Sequence, residues 1–211
     1  ALALVLAFIW VSPLFMIMVF SYGLASKAYS HPSVRLKKYP IGGWLITGFF
    51  QGCFTFLMCY LALNKFDLES AWQAQALIPA SLTSVMLWAN YPMTQVYQHE
   101  EDALHGDMTI SRKLGIRGTF FFTAAVFAIA ALGFVGYFVT YYQPRQAIAF
   151  LIALFPVAFY FNVWFLMVWR DSSRADYART MALNFISSTC LSAFFIWLLF
   201  DTRNVGRYLF D

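Results

Sequence analysis

Long apolar stretches alternate along this chain with short polar ones, and the alternation predicts the architecture. Six apolar runs stand out, at about 1–24, 41–63, 71–93, 118–139, 147–169 and 181–200. Each is close to the ~20 residues that a helix needs to cross ~30 Å of hydrocarbon. The expected fold is all-α: a polytopic transmembrane helical bundle of six spans. No linker or low-complexity segment divides it, so residues 1–211 are read as one domain.

The placement of charge supports the same picture. All fourteen Lys and Arg and all ten Asp and Glu fall between the runs or beyond the last, as the cost of an intramembrane charge demands. Charged residues make up only 11% of the chain, against roughly 25% in a soluble domain. The loops at 25–40, 94–117 and 170–180 carry ten of the basic residues, and the others, with the tail at Arg203 and Arg207, carry four. The positive-inside rule places those three loops in the cytoplasm. The net charge of +4 is then a topology signal. With no basic run interleaved with exposed aromatics, nucleic acid is not an expected partner; the lipid bilayer is.

Within the spans, Gly48 and Gly52 form a small-xxx-small pair that lets a second helix approach closely. Pro13, Pro79 and Pro156 lie inside apolar runs, where they break backbone hydrogen bonds. Gln51 and Asn162 are polar at membrane depth and are expected to face the bundle interior. Cys53, Cys59 and Cys190 are all within spans and read as small packing residues.

One loop stands apart. The stretch YQHEEDALHGDMT at 97–109 holds four of the ten acids. On a helix continuing out of the third run, Gln98 and Asp102 share a face, with Glu101 beside it and Gly106 as the stop. Adjacent carboxylates repel one another, and a hard divalent cation relieves that repulsion. Mg2+ is commonly held by one or two carboxylates with water and phosphate oxygens. The loop KAYSHPSVRLKKYP supplies Arg35, Lys37 and Lys38 on the same membrane face, a pairing suited to a diphosphate at the membrane surface. A solvated acidic helix beside a basic topology determinant is the bland alternative. His99 and His105 have spacings to Asp102 and Glu101 that also suit iron or zinc, but a di-iron site needs more ligands and only His31 remains.

The stretch YPMTQVYQHEEDALHGDMTISRKLG at 91–115 resembles the second acidic motif of the UbiA superfamily of intramembrane prenyltransferases. Asp102, Gly106, Thr109, Lys113 and Gly115 fall where that pattern expects them. YSHPSVRLKKYP at 29–40 resembles the family's Tyr-Ser/Thr segment with basic residues. The resemblance implies that the six runs are the fourth to ninth of nine helices. The first three helices, with the first acidic motif, would lie outside this chain, and the 211-residue chain alone is expected to be inactive. It implies Mg2+ as cofactor, held by Asp102 with Glu101, Gln98 and Glu100, of which Asp102 and Glu101 are the expected catalytic carboxylates. Arg35, Lys37, Lys38 and Lys113 would bind the diphosphate of an allylic isoprenoid. Ionisation of the donor yields an allylic cation that alkylates an acceptor, often an aromatic ring. The expected location is the bacterial inner membrane, with the acidic loop facing the cytoplasm.

Gln98 replaces the first Asp of the family's DxxxD element, so Glu101 or Glu100 must supply the missing charge or the metal is bound differently. Two other functions compete: a non-catalytic relative that kept the fold, and a transporter with a cation-binding loop. Against the transporter, no charged residue lies near mid-membrane.

Overall fold

The structure is a computed structural model that describes residues 2–203; Arg207, counted above for topology, lies outside the described residues. Among the described residues every regular element is helical. In chain order the α-helices are α1 (Leu2–Trp10), α2 (Pro13–Ser30), α3 (Pro40–Asn64), α4 (Ala74–Asn90), α5 (His99–Leu104), α6 (Ile110–Tyr141), α7 (Pro144–Arg170) and α8 (Tyr177–Arg203). Short 3-10 turns at Leu36–Lys38, Leu68–Trp72, Tyr91–Gln95 and Ser172–Arg174 join them. Helices α3, α6, α7 and α8 are long and apolar enough to cross a membrane.

The other two expected spans take a different form. The run at 1–24 is two helices, because Ser12 accepts a hydrogen bond from the Phe15 amide (3.1 Å) and Pro13 occupies the first turn of α2. Such a cap and an N-terminal proline start a helix, so Pro13 is a boundary and not an interior kink. The run at 71–93 contains α4, which is 17 residues long and passes into the 3-10 turn at Tyr91–Gln95.

The chain divides into two compact units, one up to Ala130 and one from Ala131 onward. In the first, α3 packs on α4 through the predicted glycine pair. A Cβ on Gly48 would meet the Trp88 indole, and one on Gly52 would meet the Ser84 backbone at 2.5 Å. At the same place α3 widens into a π-helical stretch, Phe49–Phe54. Reciprocal bonds from Trp44 Nε1 to the Trp88 carbonyl (2.8 Å) and from Trp88 Nε1 to the Leu45 carbonyl (3.3 Å) hold the pair in register.

In the second unit α7 and α8 pack together around Phe134, Phe138, Phe150 and Phe194, all buried. Buried Gln146 donates to Asp201 Oδ2 (2.6 Å), and Arg145 pairs with the other oxygen at 3.1 Å. Asn162, expected to face inward, is exposed and donates to the Ala158 carbonyl of its own helix (2.8 Å). A side-chain bond back to the preceding turn satisfies an amide without any partner helix.

Candidate functional site

The acidic loop is not an extension of α4. The 3-10 turn at Tyr91–Gln95 intervenes, Gln98 takes the N-cap position (φ −102°, ψ 6°), and α5 is a separate helix of six residues. The Gln98 carbonyl accepts from the Asp102 amide (2.8 Å), so these two residues are one turn apart as the spacing predicted. Gly106 then takes φ +69°, in the left-handed region that a side chain disfavours, and reverses the chain. That reversal lets the Asp107 amide donate to the Asp102 carbonyl (2.8 Å) and brings Thr109 back beneath α5. Asp102 is 9% exposed, and its carboxylate accepts from the Thr109 hydroxyl (3.1 Å).

Beside it lies a second carboxylate. Asp107 is 1% exposed, and its Oδ2 receives both Arg35 Nη2 (2.9 Å) and Lys37 Nζ (3.2 Å). The Asp107 main-chain carbonyl accepts from the Arg112 guanidinium. A backbone bond from the Met108 amide to the Lys38 carbonyl (3.3 Å) ties the two loops directly. Burial pushes the Asp107 carboxyl up, but the hydrogen bonds and charges of Arg35 and Lys37 outweigh it and hold the group below the usual carboxylate range. A buried carboxylate is tolerable only with such partners.

The expected basic segment is therefore at the acidic loop, with Arg35 and Lys37 held on Asp107. Lys38 lies over the Tyr39 ring at 4.9 Å, and Lys113 is exposed. Glu100 and Glu101 are also exposed, while the Gln98 side chain donates to the Tyr97 hydroxyl (2.8 Å). Among the described residues no three His, Cys, Asp or Glu side chains form a group able to hold a metal alone. Of the expected metal ligands only Asp102 is a buried carboxylate, and Glu100 and Glu101 are not gathered around it. A single carboxylate of this kind can serve a hard cation only where water and phosphate oxygens supply the rest of the shell, as they commonly do for Mg2+.

The histidines serve other ends. His99 Nε2 is 2.7 Å from Ser111 Oγ, which is 3.0 Å from Thr119 Oγ1. Burial lowers the His99 pKa, the Asp102 charge opposing and Arg112 assisting. His105 Nδ1 lies 2.9 Å from the Glu101 carbonyl. Thr119 also donates to the Gly115 carbonyl (2.8 Å), where α6 is interrupted by a glycine at φ 70°, ψ 168°.

A cavity of about 290 Å³ opens in the first unit, lined among others by Tyr22, Tyr29, Thr47, Gln51, Asn90 and Tyr91. Gln51, expected to face the bundle interior, lines this cavity but is itself exposed. The Tyr29 and Tyr91 hydroxyls are hydrogen-bonded, and Tyr91 also accepts from Gln95 Nε2 (3.0 Å), which leads from the cavity toward the acidic loop. Gln95 is buried, and its Oε1 has no partner within the protein.

Asp107 and Arg112 were missed as site residues. Asp107 was legible only as one more acid in the cluster, and Arg112 as one more topology charge; no spacing rule links Asp107 to residues some seventy positions upstream.

Four helices are long and apolar enough to cross a membrane, and the acidic loop is laced by ion pairs to the basic one. The pattern of the UbiA prenyltransferase family matches residues 1–199, and the chain belongs to that family. No curated protein and no solved structure matches it.

Proposed function

We propose that the protein transfers an isoprenyl group from an allylic diphosphate to an acceptor, in a Mg2+-dependent reaction at the membrane surface. The observation that carries this reading is the lacing of Arg35 and Lys37 onto the same loop that buries Asp102. Asp102 would hold Mg2+, with Gln98 and Glu101 as flanking oxygen donors and Glu100 at the margin. The metal supplies neutralisation of the diphosphate as a leaving group. Arg35 and Lys37 bind the diphosphate and stabilise the charge that develops on it as the C–O bond breaks. The cavity lined by Tyr29 and Tyr91 gives the acceptor a site sheltered from water, and its lining of hydroxyl and amide groups orients a polar ring. In this reading six segments cross the bilayer, α4 among them, and the loops at 25–40 and 94–117 face the cytoplasm.

A non-catalytic relative is the competing reading, favoured by Gln98 and by the exposure of Glu101. The test is release of diphosphate from isoprenyl donors of graded chain length by the purified protein in lipid nanodiscs, with Mg2+ and with chelator. Release that requires Mg2+ and falls in Asp102→Asn supports the enzyme. Donor binding without release supports the non-catalytic relative.

A further inference from the structure

Three basic side chains, two from the loop before α3 and one from the first turn of α6, converge on one residue. Arg35 and Lys37 share a single oxygen of the Asp107 carboxylate, and Arg112 bonds the main-chain carbonyl of the same residue. One buried negative charge cannot balance three positive ones, and even with the neighbouring Asp102 carboxylate a positive charge is left in excess. The geometry is built rather than accidental. Arg35 adopts a left-handed backbone conformation, φ 41° and ψ 60°, which is costly for a residue with a side chain. Its Nε is buried and has no partner within the protein. A buried guanidinium N–H left open, within a cluster that retains net positive charge, points to an anion as the missing partner.

We infer that Asp107 is a positioning residue that gathers Arg35, Lys37 and Arg112 into one preset cation cluster, and that Arg112 joins the other two in binding the donor diphosphate. This rests on the reading that Arg35 and Lys37 contact that diphosphate. Lys113, one position further along, is exposed and stands outside the cluster. Without Asp107, two long side chains lose the anchor that fixes them, and binding must order them anew. Ordering rotamer-rich side chains at the moment of binding weakens affinity.

The inference makes a prediction whose sign separates it from simple electrostatics. Asp107→Asn adds a net positive charge, so if Asp107 only diluted the local field, donor KM would fall. As a positioning residue its loss raises donor KM about tenfold, with kcat for bound donor little changed, and inorganic pyrophosphate becomes a weaker competitive inhibitor to a similar degree. Asp107→Glu, which keeps the charge, recovers part of the loss. Arg112→Gln leaves both Asp107 ion pairs in place and raises donor KM about fivefold, whereas Lys65→Gln, at an exposed position beyond α3, has no effect; this pair carries the test if Asp107→Asn does not fold. Donor KM unchanged or lowered in Asp107→Asn, or unchanged in Arg112→Gln, overturns the inference. If Arg35→Gln and Lys37→Gln also leave donor KM unchanged, the diphosphate reading fails with it. If those two raise KM while Asp107→Asn and Arg112→Gln do not, only the positioning role is lost.

Discussion

The Ser84 hydroxyl sits in the gap left by Gly52, accepting from the Cys53 amide (2.8 Å) and donating to the Gly48 carbonyl (2.8 Å). Where α3 widens into its π-helical stretch, a side chain of α4 thus completes the backbone hydrogen bonding. Gly52→Ala places a methyl against the Ser84 backbone, so α3 and α4 must move apart. The expected cost is about 1–3 kcal/mol, read as a lowered unfolding temperature in detergent. Unchanged stability would mean that the helices part freely here.

Asp102→Asn should lower Mg2+-dependent diphosphate release by at least about tenfold while the protein stays folded, because the amide oxygen can still accept from Thr109. Glu101→Gln should cost less, since Glu101 is exposed. Release by Asp102→Asn within about threefold of wild type would remove Asp102 from the metal site. A larger loss in Glu101→Gln would make that residue the principal ligand.

His99 gives a pH dependence with a defined sign. Its folded-state pKa is lowered by burial, so between that value and the ordinary ~6.5 the unfolded chain binds the proton and the folded one does not. Stability therefore falls as pH drops through and below about 6.5. Unfolding temperatures taken at stepped pH should decline into the acid range, and the decline should be shallower in His99→Gln, whose amide can still reach Ser111. Parallel slopes would exclude His99 as the cause. Asp107 works in a lower window: with its pKa depressed, its contribution is full above the ordinary carboxylate pKa and is lost progressively as the pH falls from there through the folded value.

Gly115→Ala should be among the more damaging single changes in the first unit. At φ 70° and ψ 168° the residue occupies a region that is essentially glycine's alone, and a side chain there costs about 1–3 kcal/mol. Relief of that strain would turn the first residues of α6, Arg112 among them, so donor KM should rise together with a loss of stability. A variant with wild-type donor kinetics would show that the break in α6 does not set the position of Arg112.

The sequence foretold most of the helical framework because membrane insertion writes it in composition. The runs behind α3, α6, α7 and α8 are read from apolar length alone, and the Gly48–Gly52 spacing foretold the close approach of α4. Local chemistry broke the run at 1–24, where Ser12 and Pro13 start a new helix inside uniformly greasy sequence. At the acidic loop the Gln98–Asp102 spacing and the stop at Gly106 were legible because both are contacts within a few residues. The partners of Asp107 were not, since an ion pair between distant loops leaves no periodic trace in either. Asn162 misled for a related reason: an amide at membrane depth needs a bond, and its own helix supplied one.

The order of synthesis gives the link between Arg35 and Asp107 a history. Seventy-two positions separate the two residues, and α3 and α4 both lie between them. As the chain emerges, Arg35 and Lys37 are made first and stand without their acidic partner while α3 enters the bilayer. During that interval neither cation is neutralised by Asp107. Only after α4 has followed and Asp107 has appeared can the same two cations be paired with that buried carboxylate. The ion pairs that tie the two loops together are thus among the contacts that can form only after both intervening helices have been made.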